Sequence, residues 1–240
     1  MADYQTIRTA SAGTQTAEID QGLRAHMNKV YGLMSVAMLI TAGVAWAVGT
    51  NPAMIGAIFG TPLKWVVIFL PLVMVMAFGA LLPRLSVAAA QLFFYAYAAA
   101  VGLSLAFIFA VYTQTSIATT FLSTAIAFGG LSLYGYTTKR DLSPIGSFLM
   151  MGLFGLIAAS ILNIFIASSA LSFAISIIGL LIFAGLTAWD TQAIKNEYVQ
   201  HAQVGDSDWL GKSAIMGALR LYLDFINMFM YLLQFMGDRR

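Results

Sequence analysis

Cysteine is absent from the 240 residues, which rules out a disulfide framework and any thiolate metal site. The two histidines, His26 and His201, lie outside the long apolar stretches, so haem and zinc chemistry have no ligands there. Charge is scarce too. Asp, Glu, Lys and Arg make up 9% of the chain against 60% hydrophobic residues, and the mean hydropathy is +0.84. That mixture cannot build a soluble domain with a charged surface, so the chain is an integral membrane protein whose first partner is the lipid bilayer. No nucleic-acid partner is expected. There is no evident internal repeat, and hence no support for an inverted-repeat transporter. The polar N-terminus lacks the apolar stretch and cleavage site of a secretory signal and is expected to persist as a mobile tail, 1–25, ahead of one membrane domain, 26–240.

A spanning helix needs about 20 mostly apolar residues. Seven such stretches are present, near 30–48, 65–82, 87–112, 117–136, 145–167, 171–189 and 214–236. Asn51-Pro52, Thr61-Pro62, Pro83, Ser143-Pro144 and Ser168-Ser169 punctuate them. The expected fold is therefore an all-α bundle of seven transmembrane helices. Arg8, Arg24, Lys29, Arg84, Lys139, Arg140, Lys195 and Lys212 fall on one side, and Lys64, Arg239 and Arg240 on the other. Eight against three predicts a cytoplasmic N-terminus and a C-terminus on the far side. The longest polar connection, about Thr191 to Lys212, is too short for a soluble domain.

Two carboxylates break the pattern. Asp190 and Asp224 lie in or at the edge of apolar spans, whereas every other Asp and Glu falls outside them. An aspartate at mid-bilayer costs roughly 2.5 to 3.5 kcal/mol on insertion scales, so such residues face partners or water and often mark an ion or proton path. In the last span Gly217, Arg220, Asp224, Asn227, Tyr231 and Gln234 recur at spacings of three and four and share one helix face. Ser172, Ser176, Gly179, Phe183, Thr187 and Asp190 form a second stripe on the sixth span. Both stripes must turn away from lipid, and they can face each other. Depth opposes the pairing, because Asp190 is expected near the inner end of its helix and Asp224 roughly 15 Å into its own. If they meet, both cannot ionise cheaply and they share a proton as a coupled pair. Arg220, one turn before Asp224, is expected to need a partner of its own. A buried aspartate–arginine ion pair that merely sets helix register is the competing reading. Ala98, Gly102 and Ala106 form a small-residue face for close helix packing.

Three segments carry a resemblance: Tyr134-Gly135-Tyr136-Thr137-Thr138-Lys139-Arg140-Asp141-Leu142-Ser143, Trp189-Asp190-Thr191-Gln192, and Leu221-Tyr222-Leu223-Asp224-Phe225-Ile226-Asn227. Together they closely resemble the Bax inhibitor-1 (transmembrane Bax-inhibitor-motif) family, in its bacterial branch, from about residue 25 to the C-terminus. The resemblance implies a seventh helix enclosed by the other six and a pH-sensitive calcium leak channel in a bacterial inner membrane. It also implies that the paired aspartates are Asp190 and Asp224 and that the arginine latch is Arg84. Some bacterial relatives bind a membrane-embedded ATP-dependent protease, and eukaryotic ones suppress cell death.

The leading expectation is thus a proton-gated cation leak with no permanently bound cofactor and no catalytic residues. Ca²⁺ is the permeant ion, passing Asp190 and Asp224 with Asn227 and Arg220 in support. Two carboxylates, an amide, backbone carbonyls and water offer calcium a loose set of oxygens, as conduction requires. The alternative is a non-conducting regulator that binds another membrane protein such as that protease. An intramembrane aspartyl protease is disfavoured, since Leu221-Tyr222-Leu223 precedes Asp224 where such enzymes carry a glycine-containing motif. A retinal protein would need a lysine in the seventh span, which has none.

Overall fold

The computed structural model describes the backbone of residues 3–201 and 207–240 and the side chains from residue 19 onward. Most of the expected polar tail, and the middle of the connection from Thr191 to Lys212, lie outside these described side chains. The elements are α1 (Asp3–Gly49), α2 (Pro52–Phe59), α3 (Leu63–Leu81), a 3₁₀ turn (Leu82–Arg84), α4 (Val87–Leu105), α5 (Ile108–Val111), α6 (Gln114–Thr137), α7 (Ser143–Ile166), α8 (Ser169–His201) and α9 (Ser207–Met236). Among the described residues, seven segments are long and apolar enough to cross a membrane. Their punctuation follows the sequence: Asn51 accepts from the amides of Ala53 and Met54 ahead of Pro52, and Ser86 and Thr113 cap α4 and α6.

The expected span boundaries shift in two places, both at the end of the bundle where α1 enters. Residues 19–25, assigned to the tail, continue α1 as helix, and Leu23, His26 and Met27 are buried. The sixth span does not stop near residue 189 but runs on to His201, and the seventh begins at Ser207 rather than 214. Tertiary packing explains the extra turns. Ile194 and Tyr198 continue the inward face of α8, Ile194 against Gly217 and Tyr198 with its ring 4.9 Å from that of His26. A polar stretch thereby becomes an amphipathic helix with something to bury.

The helix α9 packs against α8, α1, α6 and α4, while α3 lies on α4 and α7 on α8. Exposed residues on α3 and α7, such as Met76, Phe148 and Phe165, form surfaces suited to lipid. The small face of α4 meets α1, and a Cβ on Gly102 would lie 2.6 Å from the carbonyl oxygen of Thr41. The Thr41 hydroxyl donates to the carbonyl of Ala98 at 2.9 Å and lies 2.7 Å from the Tyr222 hydroxyl, joining α1, α4 and α9. At the other end, the amide of Thr113 donates to Asp238 and that of Arg240 to Val111, which ties the C-terminus to the α5–α6 junction.

The segment Tyr134 to Ser143 is exposed at Lys139, Arg140 and Asp141, as a solvated loop should be, yet it is clamped from beneath. Gln192 of α8 donates from Nε2 to the Arg140 carbonyl at 2.8 Å and accepts at Oε1 from the Leu142 amide at 2.8 Å. Lys195 donates to the Tyr136 carbonyl at 2.8 Å. The Ser143 amide bonds Asp141, which holds that exposed carboxyl below its ordinary value. Gln192→Leu should leave the Leu142 amide without its partner and cost about 1–3 kcal/mol, measured as a lower thermal midpoint in detergent.

Candidate functional site

The two polar stripes read from sequence meet along an antiparallel seam. Ser176 donates to Gln234 at 3.1 Å, the rings of Phe183 and Tyr231 stack at 5.9 Å, and Thr187 approaches the Met228 sulfur at 3.3 Å. Next in register come Asp190 and Asp224, which face each other across the seam between the Thr187–Met228 and Ile194–Gly217 contacts. The depth mismatch disappears because α8 runs eleven residues past Asp190, to His201. That adds about 16 Å of helix beyond the carboxyl and places it well inside the bundle.

Both carboxyls are withdrawn from solvent, Asp190 at 9% exposure and Asp224 at 4%. A carboxylate only accepts, so a hydrogen bond between two carboxyls requires that one of them carry a proton. One oxygen of Asp224, Oδ2, is buried with no hydrogen-bond partner among the described residues. A buried polar oxygen left unsatisfied is expensive, and such groups concentrate where function outweighs stability.

The neighbours differ from the expectation in informative ways. Arg220 is paired with Glu197 at 3.6 Å on the extended part of α8, with both side chains 41% exposed. Among the described residues no ion pair joins an arginine to Asp190 or Asp224, so the buried register-setting pair is not formed there. Asn227 turns its amide back to the Leu223 carbonyl at 2.8 Å. Arg84 is not brought to the pair. It is exposed on the 3₁₀ turn, where Val87 packs against Gly211 near the start of α9. Gly211 is thirteen residues from Asp224, about 20 Å along the helix and beyond the reach of one arginine side chain.

Sequence reasoning missed the hydroxyl chain beside Asp190. Tyr31 lies 2.6 Å from Ser132, Ser132 lies 2.9 Å from Thr191, and Thr191 donates to the Thr187 carbonyl at 2.8 Å. It joins α1, α6 and α8 at the level of the aspartates. Thr191 gave the available signal, since it follows Asp190 at a position buried once α8 continues. No cluster of three or more His, Asp or Glu that could hold a metal ion occurs among the described residues.

Comparison with known proteins agrees with the resemblance. A family model described as "Inhibitor of apoptosis-promoting Bax1" matches residues 23–240. An uncharacterized protein of Rickettsia prowazekii is 44% identical over 241 residues, covering 100% of both chains. The inner membrane protein YbhL of Escherichia coli is 45% identical over 220 residues, 91% of this chain and 94% of the relative. An uncharacterized protein of Borreliella burgdorferi is 44% identical over 213 residues, 88% of this chain and 91% of the relative.

Proposed function

Since this chain belongs to the Bax inhibitor-1 family, a multi-pass protein of the inner membrane, we propose that it is a pH-sensitive leak for cations, calcium foremost, gated by Asp190 and Asp224. The observation that carries this reading is the burial of two carboxyls at facing positions of α8 and α9 in the interior of the bundle. One shared proton holds the two helices together. Losing it leaves two like charges side by side in a low-dielectric interior, where repulsion is strong. The seam must then open or admit a cation. The unpartnered Asp224 Oδ2 offers the incoming ion its first oxygen, and Asp190, water and backbone carbonyls along the parted seam complete a transient set.

The sign follows directly. Acidification favours the protonated, closed pair, and raising the pH on the accessible side favours the open one. The basic residues at the ends of the spans support an N-in, C-out orientation, which puts the pair on the cytoplasmic side of the bilayer centre and makes cytoplasmic pH the sensed variable. On this reading the protein is not an enzyme and holds no resident metal. The test is calcium influx into dye-loaded proteoliposomes of the purified protein between acidic and neutral pH. Influx that rises with pH supports the leak. Its absence in folded protein would favour the regulator that binds another membrane protein such as a protease.

A further inference from the structure

The helices α1 and α6 both pack on α9 but stand apart along much of their length. A groove of about 990 Å³ lies between them, at the upper end of the roughly 300–1,000 Å³ typical of small-molecule sites. Its floor is aromatic: Phe121 and Phe128 of α6 meet Phe225 of α9 edge-on, with centroids 5.3 and 5.5 Å apart. Met34 and Met38 form the α1 wall. At the rims Leu39 and Leu133 are exposed, so the groove opens sideways between two spanning helices, where the bilayer lies.

The ends of the groove differ. The walls toward Leu39 and Phe121 are apolar, whereas the end nearest the N-terminus carries Arg24, Asn28 and Tyr31. Lys195 stands behind that mouth, its ammonium bonded to the Tyr136 carbonyl and 5.3 Å from the Tyr136 ring. Among the described residues that line the groove there is no Asp or Glu. A long apolar slot with a cationic, hydrogen-bonding end, open to lipid, complements one class of molecule.

We infer that this groove is a binding site for an anionic phospholipid, with an acyl chain laid along Met38 and Phe128 and its phosphate held at Arg24 and Asn28. A flat lipid-facing helix surface selects no headgroup, whereas a basic pocket between spans on one side of the membrane does. The floor residue Phe225 adjoins Asp224, and the Tyr31–Ser132–Thr191 chain runs from the groove wall to the residue after Asp190, so the site lies against the aspartate seam. The inference stands whether or not the protein conducts.

Gly129 provides the test, because it lines the groove and a Cβ there meets no atom within 4 Å. Gly129→Trp starts from a Cβ in open space, and its ring is expected to occupy the slot. Gly130→Trp, whose Cβ likewise meets no atom within 4 Å but which lies outside the lining, controls for folding. The full chain is equilibrated with equal amounts of phosphatidylglycerol and phosphatidylcholine, and the retained lipid is counted by native mass spectrometry. Wild type and Gly130→Trp should retain phosphatidylglycerol, and Gly129→Trp should lose it. Arg24→Gln should lower the preference for the anionic lipid about fivefold. Equal retention by Gly129→Trp and wild type, or equal retention of the two lipids by wild type, would overturn the assignment.

Discussion

Replacing Asp190 and Asp224 together by asparagine is expected to flatten the pH response of calcium influx and leave the protein folded. A gate held by one proton changes its population by up to about tenfold per pH unit, and the double variant has no such proton to lose. Asparagine keeps the shape of aspartate and both donates and accepts, so the contact between α8 and α9 can persist in neutral form at every pH. The expected result is therefore a constant influx, measured in proteoliposomes beside wild type, with an unchanged thermal midpoint. If the double variant kept the wild-type pH profile, the aspartate pair would not be the gate. Arg220→Gln is a useful companion. Arg220 pairs with Glu197 at partial exposure, so its loss should shift the midpoint of the pH response through the missing charge near Asp190 without abolishing it.

Gly135→Leu is expected to be among the most damaging single changes to the fold. A Cβ at this buried position would collide with the carbonyl oxygen of Ala188 and lie 3.0 Å from its Cα. Those are backbone atoms of α8, which cannot rotate away as a side chain would. The helices must separate, and overpacking of this kind costs about 1–3 kcal/mol and sometimes more. Ala188 is two residues before Asp190, so the same displacement should also disturb the pH response. Gly130→Ala, on the same helix with nothing within 4 Å, should instead be neutral or stabilising by about 0.4–1 kcal/mol. Thermal unfolding of the two variants in one detergent tests the contrast. Equal midpoints would mean that α6 and α8 do not pack as closely as Gly135 and Ala188 indicate.

The spans and the aspartates were legible in sequence for a common reason. The bilayer penalises each polar group locally, so apolar runs mark the helices and the polar exceptions stand out within them. Helical periodicity did the rest for the stripes on α8 and α9, because residues three and four apart share a face whatever surrounds them. The partner of Arg220 was not legible, since Glu197 belongs to a polar stretch whose helical state depends on packing. Arg84 shows the converse. The resemblance implied a latch there, but only the path of the 3₁₀ turn after α3 places its charge beside the start of α9, far from Asp224.

Composition and pattern alone thus determined an all-α membrane bundle of seven spans, its two polar helix faces and the isolation of Asp190 and Asp224. The tertiary structure decided that the two carboxyls are buried facing each other, that α8 runs past Asp190 to His201, and that α1 and α6 leave a groove between them. The division has a physical basis. Membrane insertion and helical register are set by residues near one another in the chain. The depth of a carboxyl, the continuation of an amphipathic helix and the gap between two spans depend on which distant surfaces are present to bury them.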